Sequence, residues 1–257
     1  MRSARRPGRR SSARPATGAV TAAVTVSLVA ALAAGCGILP ELPEPMPTSV
    51  VPSVAPQADP VGSENLSPDG FDAVKRMAVR IRNVGCSSLS TGSGFALDDR
   101  TLITNKHVVE GSKSLQVLTY DGRDIQVETA SAAGLADLAI VRTSDDLPSA
   151  PTLAAADPAQ GDTVTVVGYP EGGQLTVTQG TVVGTATDPL HENLGQVLVT
   201  DAQVEPGSSG SAALNEAGEV IGVVYAKSTD ASLLVPVSTL RAMLDDSSAF
   251  ATLPPCS

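Results

Sequence analysis

The sequence predicts an all-β fold over residues 69–257, built either as barrels or as a sandwich. From residue 78 onward, short runs of β-branched residues alternate with Gly, Asp and Asn at regular spacing. This pattern is typical of many short antiparallel strands rather than of alternating strands and helices. Apolar residues make up 42% of the 257-residue chain and aromatic residues only 2%, so the core must consist of Val, Leu, Ile and Ala.

Residues 1–36 predict an export signal with a degenerate lipoprotein box. Six arginines and no acidic residue precede an uncharged stretch from Ala16 to Ala34, which is the order of an export signal. The segment Leu32–Cys36 resembles a bacterial lipobox, and this implies that Cys36 becomes the lipidated first residue. An anchor helix and free secretion are the alternatives, because about 20 apolar residues can span a bilayer. In each case the remaining chain is exported.

Residues 37–68 predict a tether. They contain eight prolines and show no helix or strand period. Proline at this density favours extended polyproline II at about 3.1 Å per residue, so the segment would reach on the order of 90 Å from the membrane.

The charge of the exported part limits its partners. Residues 36–257 contain 11 basic and 27 acidic residues, a net charge of −16. A body this acidic repels phosphate backbones and anionic lipid surfaces. We therefore expect no nucleic-acid partner, and we expect membrane contact only through the N-terminal lipid or anchor.

Cys86 and Cys256 are the only cysteines after Cys36. An oxidising compartment and an even count predict one disulfide, with two free thiols as the alternative. No Cys or His lies at a metal-ligand spacing, so neither a metal nor another cofactor is expected.

The predicted elements of residues 69–257 follow one another along the chain. A short helix is expected over Gly70–Met77, and a closing helix from an N-cap at Ser238 to about Leu244. Strands are expected at Val79–Val84, Gly94–Leu97, Thr101–Thr104, Leu115–Tyr120, Ile125–Thr129, Leu138–Arg142, Thr163–Gly168, Leu175–Gly180, Thr181–Thr187, Gln196–Thr200, Ser211–Leu214, Val220–Tyr225 and Ser232–Pro236. The acid- and proline-containing stretch Ser144–Gly161 lies midway, as a linker between two barrels would.

Three places carry residues suited to nucleophilic catalysis. His107 ends a predicted strand, Asp137 opens an apolar strand, and Ser209 lies between glycines in a turn. A serine hydroxyl is a poor nucleophile until an imidazole takes its proton, and the imidazole needs a carboxylate to fix its tautomer. The developing oxyanion needs backbone N–H donors, which a glycine two residues before the serine allows to point inward.

These residues and their surroundings resemble the chymotrypsin-like double β-barrel proteases, most closely the bacterial Deg/high-temperature-requirement type. The chain order His–Asp–Ser matches that family. Its motifs correspond here to Gly92-Ser93-Gly94-Phe95, Thr104–Val109, Asp137-Leu138-Ala139, and Thr200-Asp201-Ala202 followed by Pro206–Gly210. The resemblance covers roughly residues 78–246. It implies a trypsin-like serine protease domain over 69–257 with two six-stranded barrels, at about 78–145 and 160–237, a short N-terminal helix and a C-terminal helix.

The resemblance also implies a role for each residue. Ser209 would be the nucleophile, His107 the general base and then acid, and Asp137 the orienting carboxylate. The backbone N–H groups of Gly207 and Ser209 would form the oxyanion hole. Cys86 and Cys256 more loosely resemble a disulfide of actinobacterial membrane-tethered proteases.

The substrate pocket implied by the resemblance is lined by the segment before the nucleophile, with Gln203, and by Tyr225, Ala226 and Lys227. Gln203 lies six residues before Ser209, where trypsin-type enzymes carry an acid that selects Lys or Arg. Its neutral amide argues against that selectivity and favours small or apolar residues. Only about eleven residues follow the closing helix, so no PDZ domain and no PDZ-mediated assembly are expected.

Two functions of different classes remain open from the sequence. The first is a serine endopeptidase that cleaves exported polypeptides at the outer face of a bacterial membrane through an acyl-enzyme intermediate. The alternative is a latent or catalytically silent protein of the same fold, acting as a peptide-binding or chaperone-like module. The first is favoured because every side chain that the reaction needs is present.

Overall fold

The computed structural model describes residues 73–256, apart from residues 191–193, 229–230 and 247. The predicted export signal, Cys36 and the tether lie outside the described residues. The described residues all belong to one compact unit, residues 60–257. Among them, no helix is long and apolar enough to cross a membrane.

The N-terminal half forms an antiparallel sheet of eight strands. Its strands are β1 (Ala78–Gly85), β2 (Leu89–Ala96), β3 (Thr101–Thr104), β4 (Ser112–Thr119), β5 (Asp124–Ile125), β6 (Val127–Ala133), β7 (Ala139–Thr143) and, from the far C-terminus, β14 (Phe250–Thr252). They lie in the order β14-β6-β7-β3-β2-β1-β4-β5. The sheet therefore holds two strands more than the predicted six, because a two-residue β5 pairs with β4 and β14 pairs with β6.

The C-terminal half forms a closed six-stranded barrel. Its strands are β8 (Thr163–Gly168), β9 (Thr176–Thr187), β10 (Gln196–Thr200), β11 (Ala212–Leu214), β12 (Val220–Lys227) and β13 (Ser232–Pro236), in the order β10-β13-β12-β11-β8-β9. Closure removes the free edges of this sheet. The predicted all-β architecture is confirmed.

Two strands that were predicted separately in the second half form a single strand. Leu175–Gly180 and Thr181–Thr187 were expected separately, but β9 runs unbroken from Thr176 to Thr187. Its first half pairs with β8 and its second half with β10. One long strand that changes partner along its length is how a small barrel closes on itself.

Three apolar clusters form the core, and one of them joins the two halves. The first lies within the N-terminal sheet and the second within the C-terminal barrel. The third joins Phe95 and Ile103 of the first half to Val167 and Leu214 of the second. Aliphatic and Ala side chains supply most members of all three clusters, as the composition predicts.

Within the described residues, three short α-helices accompany the strands: α1 (Ala73–Arg76), α2 (Lys106–Val109) and α3 (Val237–Asp245). The prediction that Ser238 caps the closing helix is wrong, because Pro236 occupies the cap position. Ser238 instead donates its N–H and its hydroxyl to the Asp157 carboxylate, at 2.9 and 2.6 Å. A carboxylate at this end of a helix also complements the helix dipole.

A disulfide joins Cys86 to Cys256, with the two Cα atoms 6.0 Å apart. The bond follows β1 at one end and β14 at the other. The last residues also bind the first sheet through their backbone, since Leu253 N donates to Ala130 O and Cys256 N to Ser112 O. The C-terminal segment thus returns across the whole chain to the N-terminal sheet.

Candidate active site

The first part of the site is a histidine–carboxylate pair held by one sheet. Strands β3 and β7 pair antiparallel with Thr104 opposite Ala139, so the residues after β3 and before β7 meet at the same edge. His107 Nδ1 lies 2.6 Å from Asp137 Oδ2, and His107 N donates to Asp137 Oδ1 at 3.0 Å. Asp137 is buried, whereas half of the His107 side chain is exposed. The ring is therefore oriented on one side and open on the other.

Asn105 supports this pair through a hydrogen bond to the backbone of Asp137. Its side-chain amide is fully buried and donates to the backbone carbonyl of Asp137 at 2.7 Å. Asn105 thereby ties the loop before β7 to the loop after β3. Asn105 was not among the predicted site residues, although it stands inside the motif that surrounds His107.

The second part is the turn that carries Ser209. Ser208 N donates to Glu205 O at 2.9 Å, with Pro206 and Gly207 at the two central positions and a φ of 93° at Gly207. Proline followed by a residue of positive φ is typical of a type II turn. The local sequence Pro-Gly therefore dictates the turn that precedes the serine.

A second tight turn follows at once. Ser211 N donates to Ser208 O at 3.0 Å, and Gly210 has a φ of 87°. A Cβ on Gly210 would lie 2.1 Å from Ser93 O. Only glycine fits there, both for its conformation and for the close approach of β2.

These turns direct two backbone N–H groups away from the protein's own acceptors. In a trans peptide the C=O and the N–H point in opposite directions. Pro206 O accepts from Glu171 N at 2.6 Å and Ser208 O accepts from Ser211 N, so the N–H groups of Gly207 and Ser209 point the other way. Neither N–H has a hydrogen-bond partner among the described residues.

Ser93 fixes the serine turn from the other half of the molecule. It is fully buried on β2. Its N–H donates to Ser209 O and its hydroxyl to Gly207 O, both at 2.8 Å, while the hydroxyl accepts from Tyr169 N at 2.8 Å. Thr104, three residues before His107, donates to Ser93 O at 2.7 Å. The motif Gly92–Phe95 was recognised in the sequence, but nothing in it indicated this role.

The structure thus brings the segments of all three predicted catalytic residues to β2 and β3. The imidazole–carboxylate contact is formed. Within the described part of the chain, no hydrogen bond joins the Ser209 hydroxyl to the His107 ring. In proteins of this chemistry that contact is often long until substrate binds.

A cavity of about 170 Å³ lies beside Ser209. It is lined by Val204, Glu205, Pro206, Ser208, Ser209, Val224, Ala226 and Lys227. The Lys227 ammonium lies 2.8 Å from a carboxylate oxygen of Glu205, so both charges are neutralised at the wall of an otherwise largely apolar space.

Two of the four predicted pocket residues line this cavity and two do not. Ala226 and Lys227 do. Tyr225 lies at a register shift of β12, where Val224 pairs with Leu234 and Ala226 with Leu233, and its hydroxyl donates to the buried Asp188 at 2.8 Å. Gln203 lines a separate cavity of about 130 Å³, and its amide donates to Asp201 O.

A turn over residues 169–173 supports the serine turn. Gly172 N donates to Tyr169 O and Gly173 N to Pro170 O. Glu171 has a φ of 55° and a ψ of 16°, a left-handed conformation that costs a non-glycine residue about 1–2 kcal/mol. Burial raises the pKa of Tyr169 to about 12, against a smaller opposing effect of the nearby Arg80 charge.

Comparison with known proteins gives a family match over the same segments. The family model of the trypsin-like peptidase domain matches residues 92–223, about half of the chain. Serine protease Do-like HtrA of Bacillus subtilis is 39% identical over 131 residues, which cover 48% of this chain and 29% of the relative. Serine endoprotease DegS of Escherichia coli K12 is 33% identical over 191 residues, which cover 68% and 53%. The chain spans about a third to a half of the length of these relatives.

Solved structures give the same architecture. The serine endoprotease from Yersinia pestis is similar with a TM-score of 0.59 and 28% identity, covering 67% of this chain and 64% of that one. The Rv3671c protease from M. tuberculosis in its active form has a TM-score of 0.63, covering 72% and 85%. At 24% identity the second likeness shows the fold alone.

Proposed function

The chain belongs to the trypsin-like peptidase family, with HtrA-type proteases among its relatives, and on this premise we propose that it is a serine endopeptidase. The observation that carries the proposal is the pair of unpartnered N–H groups at Gly207 and Ser209. Such N–H groups can donate hydrogen bonds to an oxyanion that forms beside them. The proposal also rests on the 2.6 Å contact between His107 and Asp137.

In this mechanism Ser209 Oγ attacks the carbonyl carbon of the scissile peptide bond and gives its proton to His107 Nε2. Asp137 accepts the Nδ1–H, which holds the ring in the required tautomer and stabilises the imidazolium. The imidazolium then protonates the leaving amine, and an acyl group remains on Ser209. Water, activated by His107, hydrolyses that ester and restores the free serine.

The oxyanion of each tetrahedral intermediate would accept from Gly207 N–H and Ser209 N–H. Both groups belong to turns that contacts elsewhere already fix, so little reorganisation accompanies the reaction. Loss of one such donor typically lowers kcat by about 10²–10³. We therefore assign to these two N–H groups the largest stabilisation of the transition state that the backbone supplies.

For the residue before the scissile bond we propose a small apolar side chain. The cavity beside Ser209 is small, and Val204, Val224 and Ala226 form much of its wall. The neighbouring Lys227 and Glu205 neutralise each other. Neither an uncompensated cation nor an uncompensated anion is therefore offered to a charged residue of the substrate.

We propose that residues 1–36 export the chain and that residues 37–68 tether residues 69–257 at the outer face of a bacterial membrane. Lipidation of Cys36 is the form of attachment that we favour. The substrates would then be exported polypeptides. The disulfide between Cys86 and Cys256 supports this placement, because such bonds persist in oxidising compartments.

A latent protein of the same fold is the second candidate. One observation favours it, the lack of a hydrogen bond between Ser209 and His107 among the described residues. A substrate or partner that closes this contact would then switch the site on.

The test is covalent labelling of the purified full-length chain with a fluorophosphonate probe. We expect the wild type to be labelled, Ser209→Ala to lose labelling and Ser211→Ala to keep it. Ser211 is the matched control, because its hydroxyl is buried without a partner among the described residues. Labelling that survives in Ser209→Ala would refute the nucleophile. A folded wild type that is not labelled would favour the latent protein.

A further inference from the structure

The 169–173 turn lies directly against the serine turn. Glu171 N donates to Pro206 O at 2.6 Å. A Cβ on Gly207 would lie 2.6 Å from Glu171 N and 3.0 Å from Gly172 N. Because Pro206 C=O and Gly207 N–H belong to one peptide group, the bond from Glu171 determines where the Gly207 N–H points.

The opposite side of the same turn is held by an arginine of the N-terminal sheet. Arg80 Nη1 donates to Gly172 O at 3.0 Å and to Gly173 O at 3.3 Å. Its guanidinium also lies 6.0 Å from the centre of the Tyr169 ring. A guanidinium is always charged and presents its donors in a fixed plane, so it is suited to holding two neighbouring carbonyls.

The turn needs such support because Glu171 adopts the left-handed conformation. Non-glycine residues persist there only when their surroundings over-determine the backbone. Arg80 binds the two carbonyls that follow Glu171, and Gly172 packs against Thr91 so closely that a Cβ there would lie 2.4 Å from Thr91 Oγ1. Strands β1 and β2 thus supply the contacts that keep Glu171 in place.

We propose that Arg80 is a positioning residue for the oxyanion hole. It acts through the 169–173 turn, which holds the Pro206–Gly207 peptide group with the Gly207 N–H directed at the reacting carbonyl. Without Arg80 the turn relaxes, Pro206 O loses its donor and the peptide group rotates, which glycine at position 207 permits. The inference rests on the proposed function of the site, although Arg80 itself touches none of the three catalytic residues.

Arg82 is a matched control on the same strand. It lies two residues further along β1, on the same face, and lines the same cavity of about 620 Å³ as Arg80 and Glu171. Arg82 is exposed and makes no hydrogen bond or ion pair with other described residues. Its removal changes the charge of this surface as much as removal of Arg80 does, but leaves the turn untouched.

The first experiment measures the saturable labelling kinetics of full-length Arg80→Ala, Arg80→Lys and Arg82→Ala with a fluorophosphonate. For Arg80→Ala we expect the maximal labelling rate constant, kinact, to fall about tenfold, because fewer molecules hold the competent orientation of the Pro206–Gly207 peptide group. The probe concentration at half-maximal rate, KI, and the midpoint of the pH dependence of labelling should not change. Arg80→Lys should recover part of the loss, since an ammonium donates to the same carbonyls. Arg82→Ala should stay within about twofold of the wild type.

The second experiment does not depend on activity. Amide hydrogen exchange of the full-length variants reports the bond from Glu171 N to Pro206 O. Exchange over residues 171–174 should accelerate in Arg80→Ala and not in Arg82→Ala, with the exchange of β3 and β7 unchanged in both.

The outcomes separate this proposal from the function on which it rests. Equal exchange in the two alanine variants, or kinact losses of equal size, would overturn the role of Arg80. Equal losses would assign the effect to surface charge. Failure of the wild type to be labelled would refute an active oxyanion hole, while the exchange experiment would still decide whether Arg80 holds the turn.

Discussion

The two halves of the molecule build their parts of the site in different ways. His107 and Asp137 meet because β3 ends beside the start of β7, its antiparallel neighbour in the same sheet. The turn that carries Ser209 takes much of its support from the other half of the molecule: directly from Ser93 on β2, and indirectly from Arg80 of β1, which holds the 169–173 turn between β8 and β9.

The difference indicates which part of the site depends only on the folded sheet and which part depends on contacts between the two halves. A pair fixed by strand register persists as long as the sheet is folded. A turn fixed by contacts between the two halves can change its conformation when those contacts are altered, while each half remains folded. We therefore expect mutations in the two regions to separate chemistry from positioning.

The largest effect should come from Asp137→Asn, which breaks the pair within one sheet. The Asn side-chain oxygen can still accept from His107 N, so the fold should be kept. The amide favours the wrong imidazole tautomer, and we expect the cleavage rate of fluorescein-labelled casein to fall by about 10⁴. A rate within tenfold of the wild type would show that Asp137 does not orient His107.

An intermediate effect is expected from Ser93→Ala, which acts across the interface. The variant leaves Gly207 O and Tyr169 N without their buried partner, and each unsatisfied group costs about 1–3 kcal/mol of unfolding free energy. We expect fluorophosphonate labelling to slow by about 10- to 100-fold while its pH midpoint stays constant, because His107 and Asp137 are untouched. Ser211→Ala serves as the control. Equal rates in the two variants would contradict the positioning role of Ser93.

The smallest effect is expected from Tyr169→Phe. The Tyr169 hydroxyl is buried and has no partner among the described residues, so its removal should raise the unfolding free energy by about 1 kcal/mol. Its pKa is raised to about 12 by burial, whereas an unfolded tyrosine ionises near 10. The protein therefore loses unfolding free energy as the pH rises from about 10 toward 12, because Tyr169 ionises more readily in the unfolded chain than in the fold; below about pH 10 this loss is absent.

Thermal unfolding at pH 8 and pH 11 checks this prediction. Tyr169→Phe should lose less stability than the wild type between the two pH values. An equal loss would show that Tyr169 ionises as easily in the folded protein as in the unfolded chain.

The sequence predicted most strands because their signals are local. Alternating β-branched runs and glycine turns fix the period and ends of β1, β3, β8 and β13 within a few residues. It missed β14, whose three residues form a strand only because β6 offers an open edge. It also misassigned the cap of α3, which is Pro236, and it could not show that Ser238 instead binds the carboxylate of Asp157, 81 residues away in the chain.

For the site, the sequence by itself determined the reactive groups and the turns that present them. His107, Asp137 and Ser209 stand in motifs, and Pro206-Gly207 encodes its own backbone conformation. Only the tertiary structure decided that Ser93 holds Gly207, 114 residues away, and that Arg80 holds Gly172, 92 residues away. Residue type and spacing encode conformations that span a few residues, whereas these contacts exist only once two independently patterned sheets have packed together.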